Sequence, residues 1–363
     1  MSDLGIEPPE PTMSVTKKTG GKPEPWRVAM AMASGYDGKA KAGSAQMSAS
    51  HFVCHELELP KYAEEEKRCH YCQIRAFPTH ADNAISIKTE PGSGGLPETF
   101  KFIDRVLPSA NVKLVSEDFY TGCECTTDFC TTPKCLCQGD VDTKRIGGWK
   151  INAYHGTGDK IGRLRSHYLN GSFPIYECGP SCKCPPTCPN RVVQQGRKVG
   201  LEIFKTDNGR GWGVRSSKDI KRGQFVDCYL GELLTAKEAQ ARRDQATSSQ
   251  QKDVYMFALD KFTDKNSKDE RLTGDPYEID GEFYSGPTRF INHSCSPNLR
   301  IFAVVKHVAD RPFHGLAFFA LEDIDRYTEL TFDYLDGVTS GSSEENKQKK
   351  CLCGAKKCRG YIF

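Results

Sequence analysis

Thirteen of the seventeen cysteines stand where several thiolates could meet. Cys123, Cys125, Cys130, Cys135 and Cys137 form one block, and Cys178, Cys182, Cys184 and Cys188 form a second. Repeated C-x-C spacing suits sulfurs that converge on metal, whereas disulfides would be strained in so tight a run. Nine sulfurs cannot fill three separate tetrahedra, which need twelve ligands, unless three of them each bridge two ions. Two four-cysteine sites with one spare thiol are the alternative, and spacing alone does not choose. The tail CLCGAKKCRGYIF adds Cys351, Cys353 and Cys358, one ligand short of a closed structural site. Cys295, in the stretch NHSCSPN, has no cysteine within fifty residues on either side. It reads as a small core residue, a nucleophile beside His293, or the missing fourth ligand. Cys69 and Cys72, with Cys54 and His80 nearby, could form another zinc site but lack a second pair, so partly buried free thiols are the expected alternative. Cys228 lies in an apolar strand and reads as core.

These blocks are separated by segments of different character. Residues 1–66 are rich in Pro, Gly, Ala, Ser and Lys, and are expected to be largely disordered. An ordered region is expected over 67–120, a zinc module over 121–196, a catalytic domain over 197–335, a linker over 336–350 and a metal-binding tail over 351–363. The runs LEIF, WGVR, FVDCYLGELL, VYMFALD and LAFFAL, with turn residues between them, predict a mainly β fold with short helices. TAKEAQARRDQA predicts a helix that opens at Thr235 in a capping box with Glu238. DIKRGQFVDCY (219–229) and DIDRYTELTFDY (323–334) weakly echo one another as turn-then-strand units, each ending in tyrosine, a likeness that coincidence among short β-hairpins accounts for by itself.

Composition narrows the partners. The odd cysteine count and the lack of an apolar leader point away from a disulfide framework and towards a reducing compartment. No apolar run approaches membrane-spanning length, so no membrane partner is expected. A net charge of +3 is too small to imply nucleic acid on its own, and no direct sequence-specific nucleic-acid binding is expected. From Asp253 to Ser285 nine acids face four bases, either a solvated surface or a dock for a basic peptide.

Together these motifs resemble a known family. The nine-cysteine block is similar to a pre-SET domain, and RGWGV, YLGE, RFINHSCSPN and ELTFDY are similar to the SET domain. CLCGAKKCRG is similar to the post-SET tail. The set resembles the histone lysine methyltransferases that modify lysine 9 of histone H3, within them the fungal enzymes. The resemblance implies small curved β-sheets with a C-terminal pseudoknot, an exception to the usual rules of chain connection. It implies three bridged zinc ions on the nine cysteines, and a fourth zinc on Cys295 with Cys351, Cys353 and Cys358. It also implies a nuclear, chromatin-bound enzyme that supports heterochromatin and silencing. The histone H3 tail would be the substrate, and chromatin-targeting partners would recruit the enzyme, since no chromodomain pattern precedes the cysteines.

The resemblance further implies methyl transfer from S-adenosylmethionine to a lysine amine. Tyr334 and Tyr229 are the implied catalytic residues, with Phe257 and Phe332 lining the lysine channel and Asp260 meeting the peptide. Gly211, Trp212, Gly213, Tyr255, Arg289, Asn292 and His293 are the implied cofactor residues, with Leu352 and Phe363 packing over them. Phenylalanine rather than tyrosine at 332 implies product up to trimethyl-lysine. Two departures stand out: relatives tend to end in tryptophan where this chain has Phe363, and commonly have glycine at the position of Tyr327.

Overall fold

The computed structural model describes residues 68–89, 95–125, 130, 135, 137, 152–246, 255–335 and 350–362. The expected disorder of 1–66, Cys54, nearly all of the linker and Phe363 lie outside the described residues.

The described chain is mainly β. Its strands are β1 (Ile85–Lys88), β2 (Lys101–Phe102), β3 (Leu107–Pro108), β4 (Ile175–Tyr176), β5 (Leu201–Lys205), β6 (Trp212–Arg215), β7 (Phe225–Tyr229) and β8 (Glu232–Leu234). They continue with β9 (Met256–Ala258), β10 (Glu278–Asp280), β11 (Tyr284–Ser285), β12 (Asn292–His293), β13 (Leu299–Val305), β14 (Gly315–Ala320) and β15 (Glu329–Phe332). The α-helices are α1 (His70–Arg75), α2 (Ser166–Leu169) and α3 (Ala236–Gln245).

One sheet runs β1-β5-β6-β15-β13-β14-β7, with β12 beside β15 and β4 beside β13. A second runs β3-β8-β10-β9, and β11 pairs with β2. β1 alternates buried and exposed residues, as an outer strand packed on one face must. β14, GLAFFA, is buried along nearly its whole length. The longest strand, β13, is not among the runs the sequence pattern singles out. Its LRIFAVV carries no clean period-two signal because it is half-buried or buried throughout.

The capping box at α3 forms as the sequence predicts. The Thr235 hydroxyl accepts the Glu238 backbone N–H at 3.3 Å, and Glu238 Oε2 accepts the Thr235 N–H at 2.9 Å. Glu238 also accepts Ser109 Oγ and Asn111 Nδ2, at 2.9 and 2.7 Å. A local helix signal therefore becomes a tertiary tie to the segment after β3.

The sequence echo is a structural one. Ile220 and Ile324 exchange both backbone hydrogen bonds at 2.8 Å. Asp219 Oδ1 accepts the Arg326 N–H at 3.0 Å, and Asp323 Oδ1 accepts the Arg222 N–H at 2.7 Å. Each unit thus caps the turn of the other, and their strands β7 and β15 leave this crossing to deliver Tyr229 and Tyr334. Gly223, at φ 80°, and Tyr327, at φ 63°, occupy matching turn positions. Tyr327 is the non-glycine residue with positive φ among the described residues.

Candidate active site

The two tyrosines end in a wall of aromatic rings. Tyr229 and Phe257 have ring centroids 4.5 Å apart, Phe257 and Phe332 5.8 Å, and Phe332 and Tyr334 4.6 Å. Tyr229 comes from β7, Phe257 from β9, and Phe332 from β15, so three chain segments must register for the wall to exist. The Tyr229 hydroxyl donates to the Tyr255 carbonyl at 2.8 Å, and that of Tyr334 donates to the Ile291 carbonyl at 2.9 Å. Burial pushes both phenols above their ordinary range, so they remain protonated. Gly281, which sequence reasoning missed, makes this possible, because any Cβ there would collide with the Tyr229 hydroxyl. Its only signal is a turn-like Asp-Gly pair.

A cavity of about 320 Å³ opens on one side of this wall. Gly211, Trp212, Tyr255, Arg289, Asn292 and His293 line it, and Leu352 closes it from the tail. Gly213 does not line it; it faces inward from β6, where a Cβ would meet the Glu329 carboxylate at 2.9 Å. Pro97, Arg210, Lys350 and Ile362 line the cavity and were not singled out in the sequence. Asn292 Nδ2 donates to the Trp212 carbonyl at 3.0 Å and to Glu329 Oε1 at 2.8 Å, while Arg210 pairs with the same carboxylate. The Arg289 guanidinium lies 4.3 Å from the Tyr255 ring centroid and 4.9 Å from that of Phe100. Its Nε donates to the Gly281 carbonyl at 3.0 Å. Arg289 therefore holds the aromatic side of the cavity. Rings, exposed main chain and fixed polar groups in a cavity of this size fit a nucleoside-bearing cofactor such as S-adenosylmethionine.

A second cavity of about 540 Å³ lies on the other side, lined among others by Phe257, Asp260, Ile301, Leu316 and Tyr334. Tyr334 lines both cavities, so the two share this residue. Three acids of the run are committed to internal pairs. Glu278 Oε1 accepts Arg243 at 2.9 Å, Asp280 pairs with Arg242 at 2.7 Å, and Asp269 with Arg271 at 2.7 Å. Asp260 is exposed at the cavity rim.

The tail cysteines reach the cofactor side. The sulfurs of Cys295, Cys351, Cys353 and Cys358 lie within 4.8 Å of one another. Cys295 is 3.8 Å from Cys351 and 4.0 Å from Cys358. Zn–S bonds of about 2.3 Å in a tetrahedron put sulfurs about 3.8 Å apart, so the four thiols fit a zinc ion. His293 couples this cluster to the channel. Its Nδ1 accepts the Tyr334 backbone N–H at 3.2 Å, which leaves Nε2–H directed at the Cys295 sulfur, 3.3 Å away. Burial, against the pull of Asp333, lowers the His293 pKa and keeps the ring neutral.

The nine other cysteines pack as one cluster. Three four-sulfur groupings within it overlap, and Cys123 belongs to all of them. Sulfurs this close together could hold metal. Arg191, also unmarked in the sequence, reaches into the cluster and donates to the Cys184 sulfur at 3.3 Å. Asn190 Nδ2 donates to the Cys178 sulfur at 3.4 Å. Neither Cys69 nor Cys72 belongs to a metal-binding grouping among the described residues.

Comparison with known proteins agrees with this geometry. The SET domain family matches residues 211–335, and the Pre-SET motif family matches 64–191. The H3 lysine-9 specific histone-lysine N-methyltransferase of Fusarium mangiferae is 48% identical over 337 residues, covering 86% of this chain and 97% of that protein. The H3 lysine-9 specific enzyme of Neurospora crassa is 48% identical over 313 residues, covering 83% and 94%. The structure of the Neurospora SET domain protein DIM-5, a histone lysine methyltransferase, matches with a TM-score of 0.65 at 46% identity, covering 74% of this chain and 99% of that one. The cysteine modules, the two cavities that share Tyr334 and these matches agree: the chain belongs to the SET-domain histone-lysine N-methyltransferase family, in its pre-SET-bearing branch.

Proposed function

We propose that this enzyme methylates lysine 9 of histone H3, carries it to the trimethyl state and acts on chromatin in the nucleus. The observation that carries the reading is that Tyr334 lines both of the two cavities. The side containing Trp212 and Asn292 takes the cofactor; the side containing Asp260 takes the peptide. S-adenosylmethionine supplies a methyl group already activated on a sulfonium. The protein must align the two groups and present a neutral amine, because a protonated lysine has no lone pair to donate. The apolar channel of Phe257, Phe332 and the two tyrosines lowers the lysine pKa by desolvating its cation. The hydroxyl protons of Tyr229 and Tyr334 are committed to carbonyls, so their oxygens are left to accept the amine N–H groups and aim its lone pair.

The peptide binds as an extended strand along the outer edge of β9, which ends the second sheet. Asp260 attracts the basic tail. Three zinc ions in the nine-cysteine cluster and one in the tail hold the modules, and recruitment to chromatin depends on partner proteins. The reading is supported by the acceptor named for the Fusarium and Neurospora relatives, H3 lysine-9. A methyl-transfer assay on H3 peptides, each lacking one lysine, tests it. Loss of transfer only when lysine 9 is missing is expected. Activity that persists without lysine 9 overturns the site assignment, and no transfer to any peptide points to a binding protein without turnover or to a non-histone substrate.

A further inference from the structure

The loop Gly171–Phe173 belongs to the pre-SET region, between α2 and β4, yet it lines the second cavity. It is held there from several directions. Arg300 of β13, which also lines the cavity, donates from one guanidinium nitrogen to the Leu169 carbonyl at 3.2 Å and the Gly171 carbonyl at 3.4 Å. Phe173 stacks on His167 with centroids 4.7 Å apart and planes 20° apart. Its ring folds back over Gly171, where a Cβ would lie 2.6 Å from it. Immediately after the loop, β4 pairs with β13 through Ile175 and Val304, and Cys178 of the zinc cluster follows two residues beyond β4. The loop is therefore fixed at one end by the zinc module and at the other by the strand that floors the cavity.

We infer that this loop is a wall of the peptide groove, with Phe173 offering an apolar face to an uncharged side chain of the bound strand. This rests on the reading of the second cavity as the peptide site. Asp260 and Arg300 line the same cavity. A basic residue of the peptide is favoured near Asp260, and a second cation beside the Arg300 wall is disfavoured by like charge. The pre-SET module then takes part in substrate selection as well as holding the fold together.

The test compares Phe173→Ala, Phe173→Leu and Asp260→Asn in the full chain, measuring KM for an H3 tail peptide, KM for S-adenosylmethionine, and bound zinc. Truncation of a packed aromatic contact is expected to raise the peptide KM about fivefold in Phe173→Ala and about twofold in Phe173→Leu, which keeps apolar bulk but loses the ring. The cofactor KM and zinc content should stay at wild-type values in both. If Asp260→Asn raises the peptide KM and neither Phe173 variant does, the wall is wrong while the groove stands. If none of the three raises it, the groove itself is misplaced. If Phe173→Ala loses zinc, Phe173→Leu decides: an unchanged peptide KM with full zinc overturns the inference.

Discussion

His293 stands between Tyr334 and the four-cysteine cluster of the tail, with Nε2 3.3 Å from the Cys295 sulfur and Nδ1 on the backbone of Tyr334. Arg359, next to Cys358 in the tail, pairs with both oxygens of Asp333 at 2.7 Å. A thiol that enters no cavity thus fixes the residue that two cavities share. Cys295→Ser should remove about one equivalent of zinc while the nine-cysteine cluster keeps its own, and should lower activity by about 100-fold or more. Zinc analysis with limited proteolysis of the tail checks it. Full zinc together with wild-type turnover would show that the tail site does not assemble the pocket.

Phe332 touches three rings, Phe257, Tyr334 and Phe318, the last at 5.0 Å. On the proposed reading, position 332 offers no hydroxyl to anchor a water beside the amine, so a methylated amine would keep room to rotate. Phe332→Tyr should leave the first methyl transfer within about threefold of wild type and abolish most of the trimethyl product. Mass spectrometry of an H3 tail peptide reads this directly. Undiminished trimethylation sinks the idea.

The rate should rise with pH as the target amine loses its proton. Burial raises the Tyr229 and Tyr334 phenols, so neither ionises while lysine is becoming neutral. The sign follows: kcat climbs from about pH 7 towards pH 9–10 with no phenolate-driven fall in that window. Tyr334→Phe should lower kcat by roughly 100-fold and leave the peptide KM nearly unchanged. A kcat that falls between about pH 8 and 9 in the wild type would contradict the neutral-phenol reading.

Much of this site was legible in the sequence because its chemistry is spelled in rare residue types. Cysteines at C-x-C spacing carry their meaning wherever the chain puts them, whereas the two tyrosines gain theirs only from the family motifs YLGE and ELTFDY. What escaped notice acts through position. Gly281 matters because its missing Cβ admits a hydroxyl, and Pro97 because β2 pairs with β11 some 180 residues later. Glu329 and Arg210 stand inside the motifs ELTFDY and RGWGV, but their place beside Asn292 exists only once β15 and β6 pair. Gly213 acts through position as well: a Cβ there would meet the Glu329 carboxylate.

Glu238 gives an acid-sensitive test of the α3 start. Burial alone would raise its carboxyl pKa, but the bonds from Thr235, Asn111 and Ser109 outweigh that and hold it at about 2. A depressed carboxylate pKa contributes stability above its unfolded value and loses it as pH falls through the folded one. Glu238→Gln should cost about 1 kcal/mol near neutrality, the usual worth of a cap. The deficit relative to wild type should shrink as pH drops from about 4.5 towards 2. Denaturation midpoints measured across that range check it, and a deficit independent of pH would assign the effect to packing instead.

Tyr327 is the clearest place to gain stability. Its φ of 63° is left-handed, the matching turn of the echoed unit uses Gly223 at 80°, and its amide donates to the Ser216 carbonyl at 2.7 Å, so the turn is held in place. The side chain is 53% exposed and touches the Arg215 guanidinium at 5.5 Å, a contact too solvated to offset much strain. Left-handed backbone costs a non-glycine residue about 1–2 kcal/mol. Glycine also adds freedom to the unfolded chain, worth somewhat under 1 kcal/mol in the other direction. Tyr327→Gly should therefore raise stability by up to about 1 kcal/mol, or roughly 2–4 °C in Tm. Methyl transfer should be unaffected, because the turn lies at the far end of β15 from Tyr334. A lower Tm would mean that the Tyr327–Arg215 contact outweighs the backbone strain.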